Sequence, residues 1–349
     1  MTQQYRKTSP EESSKATEAD ATPNESKGDV SQRVAGHAPR VFWTPKSGNA
    51  LTDYEDAYAL GDDCLAIADG ATESSFSRIW AQQLAAGFVA NPAATLSPST
   101  QRLQTWLQPL QETWHAGVAW DSLPWYAEDK ARSGAFATLL TFQILPSKES
   151  SVEDIAKDKT DADTTATDES QPNASEPSVA ARMESPLAIS FLGAAQSLLG
   201  ENLLLDVSPS RFEVCAVGDS CLFQLRDEMI ELAFPLTHSS QFDSRPVLLS
   251  SNPVNNKQVW EDIVLERGVY MPGDVLLFAT DALAKWFLGQ VEAGEYPWEI
   301  LCALSTQEEF DTFVGELRRS HAMRNDDVTL IIVGELPGEQ TGMTLQEDE

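Results

Sequence analysis

The order in which strand-like and helix-like segments follow one another constrains this chain of 349 residues more than any other feature. Two strand segments come first, followed by a pair of amphipathic helices, a long run of short strands, further helices and a final strand. A doubly wound parallel sheet would need strands and helices in steady alternation. The order therefore predicts an α+β fold, with antiparallel strands in runs and helices in groups.

Apolar patterning places the individual segments. Short apolar runs between turn residues predict strands in RVFWT, EDAYALGDDCLAIAD, AFATLLTFQIL, LAISFL, NLLLDV, FEVCAV, CLFQL, MIELAF, DIVLERGVY, DVLLFAT and DVTLIIV. Apolar residues at helical spacing predict helices in SRIWAQQLAAGFVA, STQRLQTWLQPLQETWHAGV, ALAKWFLGQV, PWEILCALS and EEFDTFVGELRRS.

Three stretches are rich in small polar and charged residues and poor in large apolar ones, so they cannot offset the entropy of ordering. Residues 1–38 are expected to be a disordered acidic tail, and residues 336–349 a C-terminal tail. Residues 147–185 are expected to be a disordered insertion in a surface loop, with an interdomain linker as the competing interpretation. A single domain would then span residues 39–335.

Composition limits the partners and the compartment. A formal net charge of -30 argues against nucleic acid, whose binding depends on clustered Lys and Arg. No apolar stretch is long enough for a membrane helix, so the expectation is a soluble, cytoplasmic protein without a membrane partner. The cysteines are expected to be buried thiols at positions Cys64, Cys215, Cys221 and Cys302.

Acidic residues stand at the ends of several predicted strands. They are Glu55 and Asp56, Asp69, Asp281, and Asp326 with Asp327. Each has a structural interpretation when taken singly: Asp69 belongs to a turn, Asp281 is the N-cap of the next helix, and Asp326 is the polar edge of a strand.

Taken together, these carboxylates would converge if their strands lie side by side. An ionised carboxylate cluster in a partly apolar setting needs cations to balance its charge. Hard oxygen ligands are those that Mg²⁺ and Mn²⁺ prefer, and such ions can activate a water for attack on phosphorus. The pattern therefore favours a site for divalent cations.

The same residues lie in motifs that resemble those of the metal-dependent protein phosphatases, the type 2C family, in the family's order over roughly residues 40–334. The matching segments are Glu55-Asp56, Asp69-Gly70, Gly134 to Thr138, Gly218-Asp219-Ser220, Thr280-Asp281, and Asp326-Asp327-Val328-Thr329. Each motif is short, and the ordered set is far more specific than any member. The resemblance implies a four-layer α-β-β-α sandwich, in which helix pairs flank two antiparallel sheets.

By that resemblance, two Mn²⁺ or Mg²⁺ ions would be bound, with a weaker third ion in some relatives. Asp69, Asp281 and Asp326 would ligate the first ion and act in catalysis through metal-bound water. Asp69 and the Gly70 carbonyl would ligate the second. The full set of metal-ligating candidates is Glu55, Asp56, Asp69, Gly70, Asp219, Asp281 and Asp326; Glu55 and Asp56 would act partly through water. For Asp219, which would hold the third ion, a plain hairpin turn is the alternative.

The chain departs from the family pattern in two places that concern substrate chemistry. The Asp-Gly motif continues as DGATES, without the histidine that would serve as a general acid. Leu51 stands about where the family has an arginine that grips the substrate phosphate. Lys46, Arg78 and Arg324 are possible substitutes. Ala282 also replaces a glycine and Asp327 an asparagine, and neither change removes a carboxylate.

The resemblance implies a metal-dependent serine/threonine protein phosphatase, whose substrates would be phosphorylated proteins and whose action would oppose a Ser/Thr kinase. One alternative is a regulatory or binding module on the same fold with weak or lost catalysis. Another is a phosphatase of small phosphoesters.

Overall fold

A computed structural model describes residues 33–92, 100–146, 209–242, 245–257 and 259–336. The predicted strands LAISFL and NLLLDV and the predicted insertion at 147–185 lie outside these residues. So do residues 1–32 and 337–349, which hold most of the two predicted tails. The described chain begins at residue 33, ahead of the expected domain start, and Val34 is fully buried in the core cluster that contains side chains of both sheets.

The described residues form twelve strands. They are β1 (Arg40–Thr44), β2 (Ala57–Gly61), β3 (Cys64–Ala68), β4 (Phe136–Ala137), β5 (Leu139–Ile144), β6 (Ser210–Val217), β7 (Cys221–Arg226), β8 (Met229–Phe234), β9 (Leu249–Ser250), β10 (Val264–Tyr270), β11 (Val275–Ala279) and β12 (Val328–Val333). The first sheet has the order β1-β12-β11-β7-β8, the second has the order β10-β6-β5-β3-β2, and β4 pairs with β9. All of these pairs are antiparallel.

The described helices fall into two groups along the chain. They are α1 (Ser77–Ala90), α2 (Thr100–Gly117), α3 (Trp125–Arg132), α4 (Asp281–Glu292), α5 (Pro297–Ala303) and α6 (Gln307–Arg319). The sequence patterns do not predict α3, because this short helix offers little apolar periodicity and its Trp125 is 79% exposed. An ion pair one turn apart, between Glu128 and Arg132, contributes locally to it.

The apolar faces of the sheets and helices determine how the layers of the fold stack on one another. The two sheets pack face to face through side chains such as Phe142 of the second sheet and Phe278 of the first, whose rings lie 5.4 Å apart. The outer face of the first sheet packs against α4, α5 and α6, and that of the second against α1 and α2. This arrangement confirms the predicted α+β sandwich of two antiparallel sheets with helices outside.

The burial of the cysteines also matches the expectation from sequence. All four cysteines are buried thiols, and none of them forms a disulfide among the described residues. Among the described residues, no helix is long and apolar enough to cross a membrane.

Gly268 of β10 offers a test of the packing in the second sheet. A Cβ at this position would lie 2.2 Å from Cζ of Phe212, a fully buried residue directly opposite on β6. We expect Gly268→Ala to lower the free energy of unfolding by about 1–3 kcal/mol, because overpacking forces neighbouring side chains to shift. The measurement is urea unfolding of the variant beside wild type.

The matched control is Gly315→Ala in α6, where an added Cβ would meet no atom within 4 Å. This substitution should raise the free energy of unfolding by about 0.5–1 kcal/mol, since glycine is unfavourable inside a helix. Equal stability of the two variants would contradict the packing described for the second sheet.

Candidate active site

The strand registers bring the candidate carboxylates to one end of the sandwich. In the second sheet, Ala57 pairs with Ala68, so Asp56 and Asp69 stand side by side just beyond the paired residues. In the first sheet, Ala279 of β11 pairs with Leu330 of β12 and with Cys221 of β7. The segments that hold Asp281, Asp326 and Asp219 therefore meet at the same edge.

A cleft of about 540 Å³ opens at this end of the molecule. Five of the seven predicted ligand residues line it: Asp69, Gly70, Asp219, Asp281 and Asp326. Glu55 and Asp56 do not line it, and Asp56 is buried at 2% exposure. The cationic side chains on the cleft wall are Lys130, Arg245 and Arg324.

Two glycines permit the close packing of this edge. A Cβ on Gly70 would lie 2.6 Å from the carbonyl oxygen of Glu55, so only glycine lets the two acidic motifs approach each other. Gly218 has φ +100°, in the region that favours glycine, and an added Cβ would lie 2.6 Å from Cγ2 of Thr138. Glycine is therefore required at both motif positions on steric grounds.

Asp281 is the first residue of α4, not its N-cap. The cap position belongs to Thr280, whose backbone is extended and whose hydroxyl accepts a hydrogen bond from the Thr329 N–H at 2.9 Å. The interpretation of Asp281 as a helix cap is therefore wrong. Its carboxylate is 5% exposed; Oδ2 pairs with Arg324, while Oδ1 has no hydrogen-bond partner.

Burial is the main influence on these carboxylates. It raises the pKa of Asp281 above its ordinary value, although the Arg324 guanidinium opposes that shift. Burial also raises the pKa of Asp69 well above its ordinary value, and the charges of Asp56 and Asp281 raise it further. Each of these carboxylates thus lies where burial removes water from its ionised form and too few donors or cations replace that water.

Asp56 lies in a buried hydrogen-bond network with the hydroxyls of Thr329 and Tyr54, which the sequence patterns do not predict. Thr329 Oγ1 donates to Asp56 Oδ2 at 2.8 Å and also contacts the Tyr54 hydroxyl. The other carboxylate oxygen, Oδ1, is buried without a partner. Burial raises the pKa of Asp56 well above its ordinary value, and the nearby Asp327 charge adds to the effect. Only the threonine of the closing motif gives a sequence signal for this network.

Asp327 has a structural role. Its Oδ1 accepts from the Lys46 N–H at 2.8 Å, and its Oδ2 accepts from the Glu55 N–H at 2.7 Å. A carboxylate can accept from both amides, whereas the asparagine expected from the family pattern has one acceptor oxygen. Asp327 therefore ties the loop after β1 to the start of β12.

Asp326 contacts two cations. Its carboxylate lies 2.9 Å from Lys46 Nζ and 2.6 Å from Arg324 Nη2. The second predicted ligand of this region, Glu55, lies 3.8 Å from Lys46 Nζ and accepts from the Ser77 hydroxyl. Part of the carboxylate charge is thus balanced by side chains of the protein itself.

The donor set fits a hard divalent cation. Buried oxygens without partners occur on Asp56 and Asp281, and among the described residues no hydrogen-bond donor contacts the Asp69 carboxylate. In the present arrangement, the described residues contain no group of three His, Cys, Asp or Glu side chains that could hold one ion. Arg324 pairs with Oδ2 of Asp281, so ligation through that oxygen requires the guanidinium to move, whereas Oδ1 is open.

The structure also places the three possible substitutes for the missing phosphate-binding arginine. Leu51 is 58% exposed, and Arg78 donates to the Thr52 carbonyl at 2.9 Å without lining the cleft. Lys46 is tied to Asp326. Arg324 lines the cleft and its side chain is 48% exposed, which leaves it accessible to a ligand. No histidine is among the described residues that line the cleft.

No protein-family model matches this chain, and no curated protein does. Among solved structures, it is similar to the serine/threonine phosphatase PstP/Ppp of Mycobacterium tuberculosis, with 13% identity and a TM-score of 0.47 over 85% of this chain and 98% of that chain. The catalytic domain of PstP in complex with two manganese ions gives 12% identity and a TM-score of 0.45 over 84% and 96%. The PPM Ser-Thr phosphatase MsPP of Mycobacterium smegmatis, in complex with cacodylate, gives 14% and 0.38 over 87% and 99%.

The resemblance to PPM-type serine/threonine phosphatases thus extends over most of the chain at low identity.

The role of Asp327 can be measured. Asp327→Ala leaves the N–H groups of Lys46 and Glu55 without their acceptor, and a buried unsatisfied donor costs about 1–3 kcal/mol. We expect a loss of this size per donor in the free energy of unfolding, measured by urea denaturation without metal. The control is Asp262→Ala, at an exposed aspartate, which should change stability by less than about 0.5 kcal/mol. Equal losses in both variants would show that Asp327 does not anchor the loop.

Proposed function

We propose that this chain is a metal-dependent phosphatase that hydrolyses phosphoserine and phosphothreonine in proteins. The observation that supports it best is the convergence of Asp69, Asp219, Asp281 and Asp326 on one cleft, where a buried oxygen of Asp281 lacks a hydrogen-bond partner. The motif order that resembles the type 2C family supports the same reaction. Buried carboxylates with a purely structural role are normally hydrogen-bonded to donors within the fold.

The proposed ligands of one Mn²⁺ or Mg²⁺ ion are Asp69, Asp281 and Asp326. Those of a second ion are Asp69 and the Gly70 carbonyl, with Glu55 and Asp56 acting partly through water. Asp219 is proposed for a weaker third ion. When bound, such an ion supplies a water of lowered pKa and neutralises charge on the phosphoryl oxygens. The protein's part is to hold the carboxylates on rigid strand ends, so that their positions change little during turnover.

The substrate phosphate is proposed to contact Arg324. This side chain lies at the cleft, half exposed, and a guanidinium offers several N–H donors in a planar array that matches phosphate oxygens. If Arg324 turns from Asp281 toward a bound phosphate, it releases the carboxylate for a cation. Ligand exchange at Asp281 and phosphate binding would then be coupled.

A second candidate function is a regulatory module without catalysis. The observation that favours it is that Lys46 and Arg324 contact the predicted ligands, and that the described side chains form no ready site for an ion. Hydrolysis of a phosphothreonine peptide with and without Mn²⁺ separates the two functions. The same assay with p-nitrophenyl phosphate and a sugar phosphate separates protein phosphatase activity from hydrolysis of small phosphoesters.

Asp281→Asn tests the metal-site proposal. The substitution keeps the shape of the side chain and removes one charge from a shared cation site. We expect Mn²⁺-dependent hydrolysis of the phosphopeptide to fall by orders of magnitude. Stability without metal should hold or rise, because burial raises the pKa of Asp281 and thus disfavours its charged form at neutral pH.

Asp262→Asn is the matched control, since Asp262 is exposed and does not line the cleft. It should retain wild-type turnover and wild-type melting. Turnover by Asp281→Asn that equals turnover by wild type would overturn the metal-site proposal. Absence of turnover in every protein, even at high Mn²⁺, would favour the regulatory module.

Arg324→Gln tests phosphate recognition. Losing a charge-assisted contact to phosphate should raise the KM for the phosphopeptide by about tenfold or more at saturating Mn²⁺. Arg78→Gln is the control, because Arg78 bonds to a backbone carbonyl outside the cleft, and its KM should equal that of wild type. The measurement is the KM for the phosphopeptide from steady-state kinetics of both variants. An unchanged KM in Arg324→Gln would assign the phosphate contact to another residue.

A further inference from the structure

Lys46 is an unusually enclosed lysine in a strongly acidic protein. Its side chain is only 16% exposed, and lysine is rarely buried unless it is paired. It lies in the loop between β1 and β2, a few residues before the acidic pair Glu55 and Asp56. Its environment therefore needs an explanation beyond that of a surface charge.

The contacts of Lys46 fix both ends of the residue. Its Nζ lies 2.9 Å from Asp326 Oδ1 and 3.8 Å from Glu55 Oε2, and it also donates to the Thr72 hydroxyl. Its backbone N–H donates to Asp327 Oδ1 at 2.8 Å. The ammonium group is thus held between a carboxylate of the acidic pair and one of the closing motif.

Carboxylate oxygens without hydrogen-bond partners occur elsewhere in the cluster, among them one on Asp56 and one on Asp281. Neither of these two residues contacts Lys46. Lys46 thus serves Glu55 and Asp326, Arg324 pairs with Asp281 through Oδ2 only, and among the described residues no Lys or Arg forms an ion pair with Asp56 or Asp69. A divalent ion bridging Glu55 and Asp326 would have to displace the ammonium or lie beside a like charge, which is costly at such distances.

We infer that Lys46 is a resident cation that neutralises Glu55 and Asp326, withholds both carboxylates from divalent ions, and so takes the place of one of the two ions. A single divalent cation is then confined to the carboxylates of Asp56, Asp69 and Asp281. The inference rests on the proposed metal-dependent function and revises it, because the chain binds one ion fewer than the pair that its motifs imply. Lys46 is a positioning residue, since it acts through the carboxylates it contacts.

The test counts bound Mn²⁺ by electron paramagnetic resonance of the free ion and by titration calorimetry, using the full chain. Lys46→Gln, which removes the charge, should bind one more Mn²⁺ per chain than wild type, or bind its last ion more tightly by about tenfold or more. Lys46→Arg retains the charge and should match wild type. Arg78→Gln, which removes a charge outside the cleft, should also match wild type.

Folding of Lys46→Gln is monitored by circular dichroism with chelator and with Mn²⁺. Loss of the resident cation should lower the metal-free melting temperature, and Mn²⁺ should restore it. A variant that folds only with Mn²⁺ supports the inference equally. A variant that stays unfolded with Mn²⁺, or one that binds Mn²⁺ as wild type does, overturns it.

Binding and hydrolysis separate this inference from the proposed function. If wild type binds two Mn²⁺ tightly and hydrolyses phosphopeptide, the role given to Lys46 is wrong and the phosphatase proposal stands. If Lys46→Gln gains an ion while no protein hydrolyses phosphopeptide, the role of Lys46 stands and the phosphatase proposal falls. If neither wild type nor Lys46→Gln binds Mn²⁺, the inference is overturned.

Discussion

Repulsion among carboxylates at one end of the sandwich is the constraint on which the site depends. Asp56, Asp69 and Asp281 are close enough that each charge disfavours the others, and burial strengthens the effect. Such a group persists only if the fold around it is stable enough to bear the cost or if cations balance it. Lys46 and Arg324 supply part of that balance from within the chain, and the remaining unpartnered oxygens are suited to a hard cation.

The two antiparallel sheets hold this cluster together. Because their strands end at a common edge, residues far apart in sequence are placed on rigid backbone, with Asp69 just beyond β3 and Asp281 just beyond β11. Hydrogen bonds from Thr329 and to Asp327 then connect the second sheet's acidic loop to the first sheet. These hydrogen bonds therefore connect the acidic site to the core between the two sheets. Separation of the two sheets at this edge would move the carboxylates apart.

Much of the fold was predictable because strand and helix periodicities are local. The convergence of Asp69 and Asp281 was also predictable, since both end continuous apolar strands in motifs of recognisable order. The role of Asp327 as an anchor was not, because its acceptor function depends on amides from a distant loop. Helix α3 is not predictable because its exposed surface leaves little apolar pattern. The sequence suggests a capping role for Asp281, but the N-cap of α4 is its neighbour Thr280.

The claim that the carboxylates form a cation site is tested most directly by diffraction at the manganese absorption edge from crystals soaked in Mn²⁺. We expect an anomalous peak in contact with the carboxylates of Asp69 and Asp281, with the Arg324 guanidinium displaced from Asp281. No peak is expected between Glu55 and Asp326, where Lys46 lies. Absence of any peak at Asp69 and Asp281 under saturating Mn²⁺, with Arg324 still paired to Asp281, would contradict a cation site at these carboxylates.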